Sequence, residues 1–287
     1  MRILGRLIAI VIPSPLDLAV YVAGFAISNV AFFASVYLLY RLSEVILENT
    51  EDALKSALLL SLYPAGVFLS AVYSESLFLL LILSSLFCWY QGKQARSAAL
   101  GVLAGLTRPV GAVLAIPYLY DTLTTRTSGR RAFKYLCITG VLLSFVAFLA
   151  YSEIMTGTPF ATFAAEHLYW KTSLDPNYIL TLARNEIRDH PIIVPYLMMG
   201  VGGVIASVLT ARSRVEREID LFSICLIAAY VLTPIISFPR YSITLIPMYW
   251  SLARLMHRRW AAIAIYSVFL MLLALGTALF VNWYSFY

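Results

Sequence analysis

The sequence has few charged residues: only 13% of its 287 residues are Asp, Glu, Lys or Arg, whereas 61% are hydrophobic. A typical soluble domain carries about 25% charged residues, so the composition excludes an ordinary soluble globular protein. Long apolar runs recur from one end of the chain to the other. They are longer than transmembrane β-strands and do not alternate between apolar and polar residues. The sequence therefore predicts an all-α polytopic membrane protein.

Cysteine and histidine are also scarce, with three residues of each type. The cysteines Cys88, Cys137 and Cys225 each fall inside a predicted span and lack the spacing of metal ligands, which is typical of small buried hydrophobic side chains. Ligand spacing thus gives no support for a divalent metal, and no cofactor is assigned. We also expect no cleavable signal peptide, because the apolar run 3–12 ends at Pro13 without a small-residue cleavage site.

The net charge of +6 is concentrated in short turns between apolar runs. Such turns follow the positive-inside rule of membrane proteins, so the charge indicates topology and makes a nucleic-acid partner improbable. An excess of Lys and Arg occurs in the turns 92–96, 126–134, 211–217 and 257–259.

Hydrophobic runs predict about nine helical segments in one integral membrane domain over residues 1–287. We see no internal repeat or linker. We expect residues 1–17 to be interfacial, Pro64 to kink the second segment, and residues 152–190 to form an outer-face loop and amphipathic helix. The predicted segments are 18–40, 53–72, 76–90, 97–120, 132–151, 191–210, 219–236, 240–256 and 260–281.

The fourth segment is interrupted by the sequence Thr107-Arg108-Pro109. If it crossed the membrane as one straight helix, the basic turn 126–134 would face the side opposite to the other basic turns. If it enters and returns, all four basic turns face the same side. Pro109 disfavours the α conformation at Arg108, so the sequence predicts a broken or re-entrant segment there, with a single kinked helix as the alternative.

Four charged residues are the candidates for chemistry. Arg108 and Arg240 suit an anionic head group, because guanidinium presents a planar fork of donors and keeps its charge. Glu75 is a candidate catalytic base, and Asp17 is a rival base. The alternatives are an ion pair between Glu75 and Arg108 that only joins helices, snorkelling of Arg240 to lipid head groups, and helix capping by Asp17.

Three further residues are predicted to shape a substrate pocket around these charges. Tyr73 and Ser74 immediately precede Glu75, and Tyr241 follows Arg240. The aromatic rings of Tyr73 and Tyr241 are suited to stacking on a sugar ring.

Two motifs stand at a fixed spacing around the candidate charges: YPAGVFLSAVYSESLFLLL at 63–81, followed by AGLTRPVG at 104–111. They resemble the PIG-V-like mannosyltransferases, the family of GPI mannosyltransferase 2. The segments GFAISNVAFFASVYLLYRL at 24–42 and SFPRYSITLIPMYWSLA at 237–253 are also similar to that family. The pair of YSES and TRP at this spacing is fairly specific, whereas the dipeptide RY alone is a weak signal.

The resemblance implies a bundle of the GT-C class and a glycosyltransferase with its site on the non-cytoplasmic face. It implies a polyprenyl-phosphate sugar as donor, typically with mannose, and a glycolipid or glycan as acceptor. The expected location is the plasma membrane in a prokaryote or the endoplasmic reticulum in a eukaryote, among membrane lipids. Family members place a catalytic Asp in a loop after a first helix, and we expect both to be missing from this chain.

Two other functions are compatible with the pattern. Broken helices and intramembrane charges also occur in transporters and lipid flippases, although those usually show an internal repeat. A catalytically inactive scaffold subunit is the third alternative, because the expected Asp loop is missing.

Overall fold

The computed structural model describes residues 16–125, 131–170, 175–231, 233 and 235–282. Over these ranges the chain forms 14 α-helices and three short 3₁₀ helices and contains no β-strand, which confirms the all-α prediction. The first six helices are α1 (Leu16–Leu47), α2 (Thr50–Ser61), α3 (Val67–Ser70), α4 (Glu75–Tyr90), α5 (Gln94–Thr107) and α6 (Ala115–Thr124). The next four are α7 (Arg131–Thr156), α8 (Ala161–Trp170), α9 (Pro176–Asp189) and α10 (Ile193–Thr210). The last four are α11 (Arg214–Val231), α12 (Phe238–Tyr241), α13 (Ile246–Leu255) and α14 (Arg259–Val281).

Four of these helices are long and apolar enough to cross a membrane. They are α1, α7, α10 and α14, and most of the surface of each is exposed on the outside of the bundle. Exposed apolar side chains on long helices are what a lipid environment requires, so the chain is a membrane protein. The shorter helix α4 is also apolar but is largely buried.

The buried interior contains large aromatic side chains that also make hydrogen bonds. Trp250 on α13 donates its indole N–H to the hydroxyl of Ser43 on α1 at 2.8 Å. Tyr249 donates to the carbonyl of Ile243 at 2.9 Å. These bonds satisfy polar groups that would otherwise be costly in an apolar interior, and they fix α13 in the middle of the bundle.

Helices α5 and α6 form a re-entrant hairpin. Arg108 has an extended backbone (φ −146°, ψ 128°), and the 3₁₀ helix Pro109–Leu114 leads into α6. The hydroxyl of Ser85 on α4 lies 2.6 Å from that of Tyr118 on α6 and donates to the carbonyl of Ser97 on α5 at 2.7 Å. The first turns of α5 and the middle of α6 thus lie side by side, which confirms the predicted break and return.

Gly111 allows this tight reversal. A Cβ atom at this position would lie 2.5 Å from the carbonyl carbon of Ala104 and 2.6 Å from the backbone nitrogen of Gly105. Both atoms belong to the last turns of α5, so the 3₁₀ helix packs backbone against backbone on the helix it has just left. Only glycine fits this approach.

The described parts of the four basic turns lie at one end of the bundle. Asp121 at the end of α6 accepts ion pairs from Lys134 at 2.7 Å and Arg214 at 3.2 Å. Tyr90, beside the turn 92–96, donates to Glu218 at 3.1 Å. Arg254 pairs with Glu216, and neighbouring His257 lies 3.7 Å from Asp52. The topology inferred from the re-entrant segment therefore agrees with the structure.

Two predicted segments are interrupted by proline. Around Pro64 the chain does not kink but leaves the helix after Ser61, and the N–H of Gly66 donates to the carbonyl of Tyr63 at 2.7 Å. The segment 240–256 is not one helix, because a proline is tolerated only in the first turn of a helix and Pro247 therefore starts α13 anew.

The stretch 152–190 contains more helix than predicted. Helix α7 continues to Thr156, and α8 and α9 follow. The side chain of Asp175 accepts from the N–H of Asn177 at 3.0 Å and caps α9, and one face of α9 is apolar, as expected for an amphipathic helix. Most of the predicted interfacial segment 1–17 lies outside the described residues.

Candidate functional site

Three charged side chains meet at the end of the bundle opposite to the basic turns. Glu75 begins α4, Arg108 occupies the turn of the hairpin, and Arg240 lies in the single turn of α12. Nη1 of Arg108 donates to Oε1 of Glu75 at 2.9 Å. Nε of Arg240 lies 3.0 Å from the same oxygen. The structure thus brings together three of the residues predicted from the sequence, and we call them the arginine cluster.

Tyr241 contacts both guanidinium groups. The guanidinium carbons of Arg108 and Arg240 are each 4.9 Å from the centroid of its ring. Nη2 of Arg240 also donates to the hydroxyl of Tyr241 at 3.0 Å. Cation–π contacts of this kind stabilise a cation that has been removed from bulk water.

Other aromatic rings cover the remaining faces of the guanidinium groups. Tyr73 lies 5.6 Å and Phe68 5.8 Å from the guanidinium carbon of Arg240, and Phe78 lies 5.7 Å from that of Arg108. Phe68 and Phe78 were not among the residues predicted from the sequence. The spacing of Phe78, three residues after Glu75 on the same face of α4, was a usable signal, whereas Phe68 had none.

The cluster combines deep burial with limited access. The side chain of Glu75 is 2% exposed, whereas those of Arg108 and Arg240 are each 17% exposed. Within the described part of the chain, Oε2 of Glu75 and Nε of Arg240 have no hydrogen-bond partner, so the Arg240–Glu75 contact is an ion pair without hydrogen-bond geometry. One carboxylate faces two guanidinium groups, which leaves an excess of one positive charge on the partly exposed arginines.

The other predicted site residues differ in their placement. Tyr73 contributes its ring to the cluster, and its carbonyl accepts from the hydroxyl of Ser28 on α1 at 3.3 Å. Ser74 is half-buried at the start of α4 and makes no side-chain capping bond. It is therefore next to Glu75 in the chain but has no described contact with the arginines.

Asp17 lies in the first turn of α1, and its side chain is outside the described part of the chain. It precedes Ser28 by 11 residues, which corresponds to roughly 16 Å along a helix axis. The backbone at Asp17 is therefore well beyond the level at which Ser28 contacts Tyr73.

An apolar groove adjoins the cluster. It has a volume of about 280 Å³ and is formed by α9, α10, α11 and the segment that leads into α12. Tyr230 lines the groove and also stacks on Tyr241, with ring centroids 4.9 Å apart. The groove and the arginine cluster therefore share a wall. Its lining includes Ile179, Leu182, Ala183, Leu197, Val201, Ile227 and Phe238.

The described residues contain no group of three or more His, Cys, Asp or Glu side chains in position to hold a metal ion. The chemistry that the cluster itself supports is the binding of a small anion. Two guanidinium groups supply donors and charge, and the aromatic walls exclude water and strengthen the attraction.

Comparison with known proteins gives a consistent assignment. A family model described as "Mannosyltransferase (PIG-V)" matches residues 7–167, which is more than half of the chain. The chain is 33% identical over 103 residues to GPI mannosyltransferase 2 of Yarrowia lipolytica, covering 36% of this chain and 29% of that protein. It is 30% identical over 146 residues to GPI mannosyltransferase 2 of Chaetomium globosum, covering 51% and 26%. A third relative, GPI mannosyltransferase 2 of Aspergillus oryzae, is 36% identical over 122 residues, covering 36% and 28%.

The matches thus span less than a third of the length of these relatives. No solved structure matches the chain.

Proposed function

The chain belongs to the mannosyltransferase (PIG-V) family, and from this membership we propose that it is a membrane mannosyltransferase with a polyprenyl-phosphate sugar as donor. The observation that carries the proposal is the arginine cluster: Arg108 and Arg240 come from distant parts of the chain and converge on one buried carboxylate. Two guanidinium groups at one opening suit the phosphate of a lipid-linked sugar, since each can present two parallel donors to phosphate oxygens.

The adjoining groove supports the lipid part of the proposal. A polyprenyl chain is a long apolar ligand, and the groove is lined almost entirely by aliphatic and aromatic side chains. Because Tyr230 forms both the wall of the groove and the stack on Tyr241, a phosphate at the arginines would have its lipid tail at the groove entrance. We propose this path for the donor, with Tyr73 and Tyr241 beside the sugar.

The reaction that follows is a single displacement. The acceptor hydroxyl oxygen forms a bond to the anomeric carbon of mannose, and the bond from that carbon to the phosphate oxygen breaks. The bonding electrons pass to the phosphate oxygen, whose new charge the guanidinium groups stabilise, and the hydroxyl proton passes to a base.

Glu75 is badly suited to be that base. Its Oε1 already contacts both guanidinium groups, and its side chain is only 2% exposed, so an acceptor hydroxyl has little access to it. We therefore assign Glu75 the role of orienting the arginines. Asp17 stays a candidate base, together with any carboxylate that the acceptor brings close.

The membrane topology follows from the distribution of charge. The described parts of the four basic turns lie at one end of the bundle, and the arginine cluster lies at the other. By the positive-inside rule we propose a multi-pass protein whose site opens on the non-cytoplasmic face, in the plasma membrane of a prokaryote or the endoplasmic reticulum of a eukaryote. The acceptor would be a glycolipid or glycan on that face.

The test uses purified protein in lipid nanodiscs with polyprenyl-phosphate mannose labelled in the sugar. We expect donor binding and label transfer in the wild type, and a loss of donor affinity of about 100-fold in Arg108→Ala, consistent with removal of a charged donor from a buried phosphate. Arg188→Ala, at an exposed position on α9, is the control and should bind the donor normally. Equal donor affinity in Arg108→Ala and the wild type would overturn the phosphate role. Tight binding without transfer to any acceptor would favour the inactive-subunit alternative.

A further inference from the structure

The charge balance of the arginine cluster is unusual for a purely structural ion pair. Oε1 of Glu75 faces both Arg108 and Arg240, and Oε2 is buried without a hydrogen-bond partner among the described residues. A structural pair in an apolar interior is stable when charges cancel and each polar atom is bonded. Here one positive charge is left over, on two arginine side chains that are each 17% exposed.

No other charged side chain is described in contact with the guanidinium groups. Their remaining neighbours are the aromatic rings of Phe68, Phe78, Tyr73 and Tyr241. Arginine keeps its charge at all ordinary pH values, and the phenols are neutral near pH 7. The cluster therefore carries a net charge of one positive unit (two guanidinium groups and one carboxylate).

A site of low polarity with one excess positive charge is best neutralised by a ligand with one negative charge. A phosphodiester carries one. A phosphate monoester carries about −1.5 to −2 at pH 7, because its second pKa is about 6, and a diphosphate carries more. Any charge beyond the first would meet the carboxylate of Glu75 from close range.

We propose that Glu75 determines specificity by charge, so that the site favours a singly charged lipid phosphodiester over lipid phosphate monoesters and diphosphates. This inference rests on the proposed function, since it concerns the ligand of the same arginines. It also affects release of the product. Transfer breaks the bond between the sugar and the phosphate oxygen and turns the diester into a monoester. The second negative charge that then forms is repelled by Glu75, which promotes release of the lipid phosphate.

Three lipid probes test the proposal by binding alone: a short-chain polyprenyl phosphate, its methyl diester and the corresponding diphosphate. Affinities are measured at pH 8 for the wild type, Glu75→Gln and Glu75→Asp in nanodiscs. The wild type should bind the methyl diester at least as tightly as the other two. In Glu75→Gln the affinity of the monoester relative to the diester should rise by about tenfold or more, whereas Glu75→Asp keeps the charge and should keep the wild-type preference.

A second measurement needs only the wild type, in case Glu75→Gln does not fold. Between pH 5 and pH 8 the monoester gains its second charge while the diester and the guanidinium groups keep theirs. The affinity of the monoester relative to the diester should fall as the pH rises, and an increase would overturn the proposal. Tight binding with an unchanged ratio in Glu75→Gln would overturn it while leaving the phosphate site intact. Failure of every probe to bind would overturn both this inference and the proposed phosphate site.

Discussion

The hydroxyl groups of Tyr63 and Ser242 lie 2.6 Å apart, although these residues are separated by 179 positions in the sequence. Ser242 donates to the carbonyl of Pro239 at 3.0 Å, so Tyr63 is the donor in the bond between them. This bond joins the turn between α2 and α3 to the residue that follows α12, the helix that carries Arg240. It holds two of the three segments of the arginine cluster in a fixed relation.

The direction of this bond predicts an unequal effect of removing its two partners. Ser242→Ala leaves the buried hydroxyl of Tyr63 without an acceptor and should cost about 1–3 kcal/mol, whereas Tyr63→Phe removes one donor and should cost about 1 kcal/mol. Thermal unfolding of both variants in detergent checks the order. An equal loss, or a larger loss in Tyr63→Phe, would contradict the assigned direction.

Replacing Gly111 should disturb the hairpin and with it the position of Arg108. In Gly111→Ala the new methyl group would lie within 2.7 Å of three backbone atoms of α5, so the 3₁₀ helix must move away. We expect a loss of about 1–3 kcal/mol in stability and a weaker affinity for the lipid phosphate. Gly140→Ala on α7 is the matched control, because its Cβ would meet no atom within 4 Å. If both variants behave alike, backbone contact at Gly111 is not what holds the hairpin.

Blocking the apolar groove should affect long donors more than short ones. Ala183 on α9 lines the groove, and Ala183→Trp would fill part of its volume of about 280 Å³. With long polyprenyl donors we expect affinity to fall by about tenfold, and with donors of two isoprene units to change by less than about twofold. Thr181→Trp, at an exposed position of the same helix, is the control. An equal loss for short and long donors would remove the groove from the donor path.

Glu218 should make stability depend on pH. It is buried immediately before the apolar part of α11 and accepts from Tyr90 and Arg214. Burial, reinforced by the negative charge of Asp121, raises the pKa of its carboxyl to about 7 despite the hydrogen bonds from Tyr90 and Arg214, which lower it. In an unfolded chain the pKa of glutamate is about 4.3, so between these two values the folded protein binds more protons than the unfolded one. The free energy of unfolding should therefore fall as the pH rises from about 4.5 to 7.

Glu218→Gln isolates this contribution. The variant should lose the part of this decline that Glu218 contributes, which is on the order of 3 kcal/mol across that pH window. Melting temperatures measured in detergent at half-unit steps from pH 4.5 to 8 provide the comparison. A decline of the same size in the variant would assign it to another group.

The sequence was sufficient to predict those features that involve charged residues within apolar segments. The break at Arg108-Pro109 follows from two independent constraints, namely the orientation of the basic turns and the backbone restriction before proline. The convergence of Glu75 and Arg108 follows from the same topology, because both fall at the outer ends of their segments. Counting the crossings of the predicted segments puts Arg240 on the same side, and in the structure it lies 3.0 Å from the carboxylate of Glu75.

The aromatic walls of the site could not be predicted in the same way. In a membrane protein, apolar residues occur both on the lipid-facing surface and in the core. The sequence therefore does not indicate whether Phe68 and Tyr230 are buried. The effect of Pro64 on its helix was predicted to be smaller than it is, for a related reason. A kink at Pro64 and a full interruption leave the same sequence pattern, and only the packing of the turn around Gly66 decides between them.

The turn at Arg108-Pro109 also determines in which direction each later helix crosses the membrane. The hairpin of α5 and α6 returns to the side of the membrane from which it started, so it contributes no net crossing. The direction of every later helix depends on this. If the hairpin were straightened into one crossing, α7 to α14 would be inverted, and Arg240 would emerge on the opposite surface from Glu75. The reversal that supplies the first arginine is therefore also the condition under which the second arginine reaches the same carboxylate.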